Sequence, residues 1–174
     1  MCSSDLRPGG GRIVLKVNSL VDPEIVEALY AASQSGTEID LIVRGLCSLR
    51  PGVPGLSDRI RVRSLVGRFL EHSRIFRFGP DAVAAEFYLG SSDLMPRNLD
   101  RRVEAMVPVV DRALQERLAQ ILDVELEDDV LAWDLHADGS WSKHPAARGV
   151  NAQQVFEQLA EARAAATTGS APDA

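Results

Sequence analysis

Aromatic side chains are scarce: two Trp, two Tyr and five Phe amount to 5% of the 174 residues. That disfavours an aromatic-rich sandwich, and the abundance of Val, Ile, Leu and Ala points instead to a single α/β domain. Cysteine is nearly absent. Cys2 and Cys47 give no disulfide framework and no zinc-type cluster, so Cys47 reads as a buried small hydrophobe in a reducing compartment. No run of about 18 apolar residues and no basic-then-apolar leader occurs, so neither a membrane span nor a signal peptide is expected. The expectation is a soluble cytoplasmic protein, with a peripheral membrane location left open. Lysine is rare too: Lys16 and Lys143 are two of 19 cationic residues. Positive charge is therefore carried by guanidiniums, which suit bidentate contacts, although genome composition produces the same bias.

Net charge is −6, but it is unevenly spread. Between Arg44 and Arg77 eight arginines (44, 50, 59, 61, 63, 68, 74 and 77) face only Asp58 and Glu71, whereas Asp111 to Asp134 is strongly acidic. An acidic chain with one arginine-rich segment suits a compact polyanion held in a site better than a nucleic acid coated over a broad surface. Arg59, Arg61 and Arg63 alternate with apolar residues and read as a solvated strand edge.

Hydrophobic periodicity then sets out the elements. Residues 1–11, with three consecutive glycines, read as a disordered start, 12–163 as the domain and 164–174 as a disordered tail. Arg12 to Asn18 is a strand that puts Lys16 and Asn18 on one face. Asp22-Pro23 starts a helix that ends near Ser35-Gly36. Ile39 to Val43 is a fully apolar strand, and this strand–helix–strand order predicts parallel pairing. Arg44 and Gly45 follow directly, at the carboxyl end where open α/β sheets bind ligands. Leu49 to Asp58 is a Pro/Gly loop, and Ile60 to Leu65 a third strand. A strand beginning at His72, a turn at Gly79-Pro80-Asp81 and a hairpin partner at Ala85 to Leu89 come next. Val103 to Val109 is an apolar strand, Arg112 to Val124 a covering helix and Val130 to Leu135 a strand. Ala137 to Ser140 is a turn, and Asn151 to Ala166 an amphipathic helix. His136 and His144 lie near that turn without metal-ligand spacing.

The stretch from Gly67 to Phe76 (GRFLEHSRIF) is the centre of the chain. After Glu71 the residues alternate in strand period, which sets His72 and Arg74 on one face. An imidazole that moves protons near neutral pH, beside a permanent planar cation, suits a phosphoryl group.

Four stretches, Lys16 to Asp22, Leu41 to Gly52, Gly67 to Phe76 and Gly90 to Glu104 (GSSDLMPRNLDRRVE), closely resemble the last catalytic domain of bacterial polyphosphate kinase, in the family's order and spacing. The resemblance runs from about Ile13 to Leu135. It implies a phospholipase D-like mixed sheet flanked by helices, with further domains upstream. It also implies reversible transfer of the ATP γ-phosphate to inorganic polyphosphate through a phosphohistidine located in those domains. Arg44 then contacts phosphates, and His72 is the second active-site histidine, a nucleotide contact and general acid. Lys16, Asn18, Arg68, Arg74, Ser91, Arg97 and Asn98 complete the ATP and polyphosphate site, with Arg102 also matching the family pattern. Mg²⁺ is implied for the full enzyme, with ligands mostly outside this chain. ATP or ADP, polyphosphate, the upstream domains and a homo-oligomeric full enzyme are the implied partners, and nucleic acid is not. Superfamily relatives carry His-X-Lys and Gly-Ser-X-Asn. Here Arg74 and Asp93 replace Lys and Asn, which argues against phosphodiester hydrolysis. Two other readings remain: a polyphosphate- or nucleotide-binding module without chemistry, and a homodimeric phospholipase D-like phosphodiesterase.

Overall fold

The computed structural model describes residues 11–80 and 84–168. Eight strands form one mixed sheet in the order β6-β5-β4-β1-β2-β3-β7-β8. They are β1 (Arg12–Val17), β2 (Glu38–Val43), β3 (Ile60–Leu65), β4 (Ile75–Phe78), β5 (Glu86–Gly90), β6 (Met106–Val109), β7 (Ala132–Leu135) and β8 (Trp141–Lys143). The helices are α1 (Pro23–Gln34), α2 (Pro96–Leu99), α3 (Arg112–Glu127) and α4 (Ala152–Thr168).

β1, β2 and β3 pair in parallel, as the strand–helix–strand order predicts, and the remaining pairings are antiparallel. Both faces of the central strands are covered. Ile13, Leu15, Val17, Ile39, Leu41 and Val43 pack with Leu29 and Ala32 of α1, while Val14, Ile42 and Leu65 pack with Leu118 and Leu122 of α3. This two-sided burial is why β2 reads as an unbroken apolar run.

Helix α1 begins as its sequence dictates. The Asp22 carboxylate accepts from the Ile25 amide at 3.0 Å, Pro23 occupies the first turn, and Gly36 takes φ 96° just beyond the end. Asp22→Ala removes that acceptor and is expected to lower stability by about 1 kcal/mol in urea unfolding. A loss below a few tenths would show that the cap is dispensable.

Several expectations need correction. The strand expected from His72 begins only at Ile75, where the register with β1 stops at Lys16. Arg74 keeps one backbone bond, accepting from Gly90 N–H at 3.2 Å, and His72 and Ser73 lie outside the ladder. β4 is also not one-sided: Phe76 packs on the α1 face and Ile75 on the α3 face. β3 is not a solvated edge, since β7 pairs alongside it. β6 is shorter than Val103 to Val109, and Val103 is fully exposed. The three-residue β8 and four-residue α2 are too short to leave a periodic signal. The expected tail starts too early: alanines 164–166, the best helix formers, carry α4 on to Thr168. The expected disordered start except Gly11, Asp81 of the expected turn, and residues 169–174 lie outside the described residues.

Candidate phosphate site

Strand polarity gathers the site at one end of the sheet. β1 and β2 end there, just before Asn18 and Arg44. β4 runs antiparallel to β1 and so starts there, with Arg74 just before it. β5 runs antiparallel to β4 and ends there at Gly90, leading into Ser91 to Asp93. The loops after these strands are stitched together. Leu20 N–H donates to Leu46 O at 2.8 Å, Leu94 N–H to Ser19 O at 3.0 Å and Gly45 N–H to Asn18 O at 2.8 Å. At Gly45 a Cβ would lie 3.0 Å from Asn18 O, so a side chain would wedge these two loops apart.

Asp93 is the organiser. Its carboxylate accepts from Arg74 Nε at 3.0 Å and Nη2 at 2.9 Å, and from the backbone amides of Asn18 at 2.8 Å and Ser19 at 3.2 Å. Burial alone would push this carboxyl up, but the Arg74 guanidinium and the two amides outweigh it, and the group is held below its ordinary value. Asn18 Nδ2 also donates to Asp93 at 3.4 Å, while its Oδ1 accepts from Arg44 Nε at 2.7 Å and from Arg44 Nη2. On the other side, Arg74 Nη1 lies 3.3 Å from His72 Nδ1 and donates to His72 O at 3.2 Å. One continuous frame therefore runs Arg44, Asn18, Asp93, Arg74, His72. The two departures from the superfamily pattern, Arg74 and Asp93, are a single unit, because a guanidinium fork needs the bidentate acceptor that an Asn cannot supply.

A second carboxylate, Glu104, holds the adjoining loop. It accepts from Ser91 Oγ at 2.5 Å and from Asn98 Nδ2 at 2.9 Å, and pairs with Arg102 Nε at 3.3 Å. Ser91 first, then Asn98 and Arg102, keep its carboxyl below the ordinary range. Sequence reading passed over this role, although Glu104 closes the matched stretch Gly90 to Glu104.

The other expected site residues divide. Arg44, Asn18, His72 and Arg74 meet in the frame, and Ser91 and Asn98 meet at Glu104. Arg97 is exposed on α2, and Arg68 lies 5.1 Å over the Phe69 ring. Lys16 does not point where Asn18 does. Its ammonium is almost fully buried, 3.3 Å from Glu71 and 2.7 Å from Glu125, and so faces carboxylates. The arginine-rich segment divides as well. Arg59 and Arg61 pair with Glu38, Arg61 also with Asp40, and Arg63 donates to the carbonyls that end α3. With Arg12, Asp134 and His144, some of these line a groove of about 870 Å³ toward the opposite end of the sheet. That groove contains none of Arg44, His72 and Arg74, and its charges are largely neutralised by one another.

The carboxylates at the site do not suit Mg²⁺, which needs open oxygen ligands. Asp93 and Glu104 already accept from several donors each, and among the described residues no cluster of three or more His, Cys, Asp or Glu could hold a metal ion.

Residues 6–154 match the family model for polyphosphate kinase C-terminal domain 2. The chain belongs to that family. It is 50% identical over 152 residues to polyphosphate kinase 1 of Chlorobaculum tepidum, covering 86% of this chain and 22% of that protein. With the polyphosphate kinase of Thermosynechococcus vestitus it shares 54% identity over 138 residues, 79% of this chain and 19% of the relative. The chain thus spans about a fifth of the length of these polyphosphate kinases. The crystal structure of polyphosphate kinase from Porphyromonas gingivalis superposes with a TM-score of 0.82 at 37% identity, covering 88% of this chain and 24% of that one. The phospholipase D family member Nuc from Salmonella typhimurium gives a TM-score of 0.54 at 17% identity over 72% of this chain and 82% of that one, a likeness of fold alone. The mixed sheet with helices on both faces is therefore a phospholipase D-like fold. Among the described residues, no helix is long and apolar enough to cross a membrane.

Proposed function

We propose that this chain supplies the phosphate-holding half of a polyphosphate kinase site, for reversible transfer of the ATP γ-phosphate to inorganic polyphosphate. The observation that carries this reading is the frame in which Asn18 and Asp93 aim two guanidiniums and one imidazole from the same end of the sheet. Two fixed cations beside a proton carrier suit the charge spread over the oxygens of a transferring phosphoryl group. Arg44 and Arg74 bind phosphate oxygens. His72 contacts the nucleotide and donates a proton to the departing phosphate oxygen. The phosphohistidine that accepts the phosphoryl group belongs to a part of the enzyme outside this chain, as do most ligands of Mg²⁺, which arrives bound to the nucleotide. The complete enzyme, joined to those domains and assembled as a homo-oligomer, performs the transfer in the cytoplasm.

Calorimetric titration of the chain with long-chain polyphosphate and with Mg-ATP at two salt concentrations tests this. Both ligands should bind, more weakly at high salt, with no phosphoryl transfer by the chain alone. Arg44→Ala should weaken polyphosphate binding about tenfold, the loss of a charge-assisted hydrogen-bond donor. Absence of binding to either ligand would overturn the phosphate site, and transfer by the chain alone would overturn the division of labour.

A further inference from the structure

Behind the phosphate site lies a buried charge cluster that the chemistry above does not use. Glu125, on the sheet-facing side of α3, is completely buried. Lys16 Nζ from β1 is 2.7 Å from its Oε1 and 3.3 Å from Oε2 of Glu71. Despite that proximity, neither Glu125 oxygen has a hydrogen-bond donor in suitable geometry. Two buried acceptors without donors are costly, and a proton on Glu125 turns one of them into a donor, with Glu71 within hydrogen-bonding reach to accept it, while the Lys16 ammonium faces Oε1. Charge counting agrees: one ammonium between two carboxyls is balanced by a single negative charge.

Every element packed around the pair contributes. Lys16 comes from β1 and Glu71 from the segment before His72. Arg63 of β3 reaches the Glu125 carbonyl at 3.5 Å. From α4, the neutral Gln153 donates to Phe69 O at 2.9 Å and to Glu71 Oε1 at 3.4 Å, and accepts from Phe69 N–H at 3.0 Å. A Cβ on Gly67 would fall 2.5 Å from Gln153 Oε1, so the chain passes against α4 just before this clamp. Phe69 to Glu71 has no strand ladder, and these side chains are what fixes it.

We propose that Glu125, Glu71 and Lys16 form a buried protonic latch, in which a proton on Glu125 is donated to Glu71 and holds the Phe69 to Glu71 segment, and through it His72, against the phosphate frame. Glu125 is thus a positioning residue. Burial, partly offset by Lys16 and reinforced by Glu71, pushes its carboxyl up from 4.5 to about 7. The latch therefore loosens as pH rises through neutrality, when a second negative charge would have to share one ammonium. The linkage sign follows. The unfolded carboxyl ionises first, so folding stability falls as pH rises from 4.5 to about 7 and levels off above.

The effect on phosphate binding rests on the reading of Arg44, His72 and Arg74 given above, whereas the latch is testable without it. Carbon-13 NMR of the glutamate Cδ atoms in the 174-residue chain, with backbone amide shifts of Phe69 to His72, should show Glu125 titrating near neutrality and the segment moving with the same midpoint. Glu125→Gln, whose amide can donate to Glu71 in place of the proton, should abolish that transition and leave the amides near their acidic-limit positions. If Glu125→Gln does not fold, Glu71→Gln serves, because removing the like charge should lower the midpoint of Glu125 in the same spectra. In parallel, inorganic tripolyphosphate affinity should fall about fivefold or more between about pH 6 and about pH 8.5 in the parent chain relative to Glu125→Gln. Titration of Glu125 below about pH 5, or titration without movement of Phe69 to His72, overturns the latch. Segment movement with no tripolyphosphate binding in either protein leaves the latch standing and overturns the phosphate-site reading.

Discussion

Asp93→Ala is expected to lower the stability of this domain by about 3 kcal/mol, the cost of leaving a buried charge and its hydrogen-bond donors without a partner. Arg74 is 11% exposed in its side chain and Asp93 6%, so the guanidinium abandoned by this change cannot simply turn to water. The Asn18 and Ser19 amides lose their acceptor at the same time, and the loops after β1 and β5 lose a shared anchor. Asp93→Asn should fall between the two, since an amide oxygen still accepts from the backbone but cannot engage the fork in both places. Urea unfolding at neutral pH measures this. A loss below about 1 kcal/mol would show that Arg74 finds solvent and that the frame is not cooperative. The pH dependence is a second check. With its folded value held below 3.8, Asp93 contributes stability that is present above that pH and lost as pH falls further, so the alanine variant should show a shallower acid limb.

His72→Ala should have the opposite profile: large on chemistry and small on folding. Its side chain is exposed, and the Arg74 bond to the His72 carbonyl at 3.2 Å survives the change. Stability should move by no more than about 0.5 kcal/mol. In a complete polyphosphate kinase carrying this domain, a proton-transferring histidine is worth about 10²–10⁴ in rate, so the transfer rate should fall by that factor. Unaltered transfer would remove His72 from the chemistry and leave the arginines as the whole contribution of the site.

What could be read from the chain alone was whatever depends on near neighbours. The apolar run Ile39 to Val43, the Asp22-Pro23 helix start and the placing of Arg44 at a strand end all follow from periodicity, capping and strand polarity, and the structure has them there. The matched stretches, with Arg74 and Asp93 in place of Lys and Asn, were equally legible, because motif spacing is a property of sequence.

What the sequence could not determine were the partners of charged side chains. Lys16 and Asn18 lie two apart on β1, and alternation alone sends both to the phosphate site. Lys16 turns instead to Glu125, which is 109 positions away in the chain, because α3 brings that carboxylate onto the sheet. Arg59, Arg61 and Arg63 read as a solvated strand edge until Glu38, Asp40 and the end of α3 are seen beside them. The His72 segment looks like a strand until the register shows that pairing with β1 stops at Ile75. Local pattern decides which residues are buried and which element they form, since those depend on a side chain and its immediate neighbours. Which charge meets which depends on contacts between distant parts of the chain, and only the folded sheet with its helices brings them together.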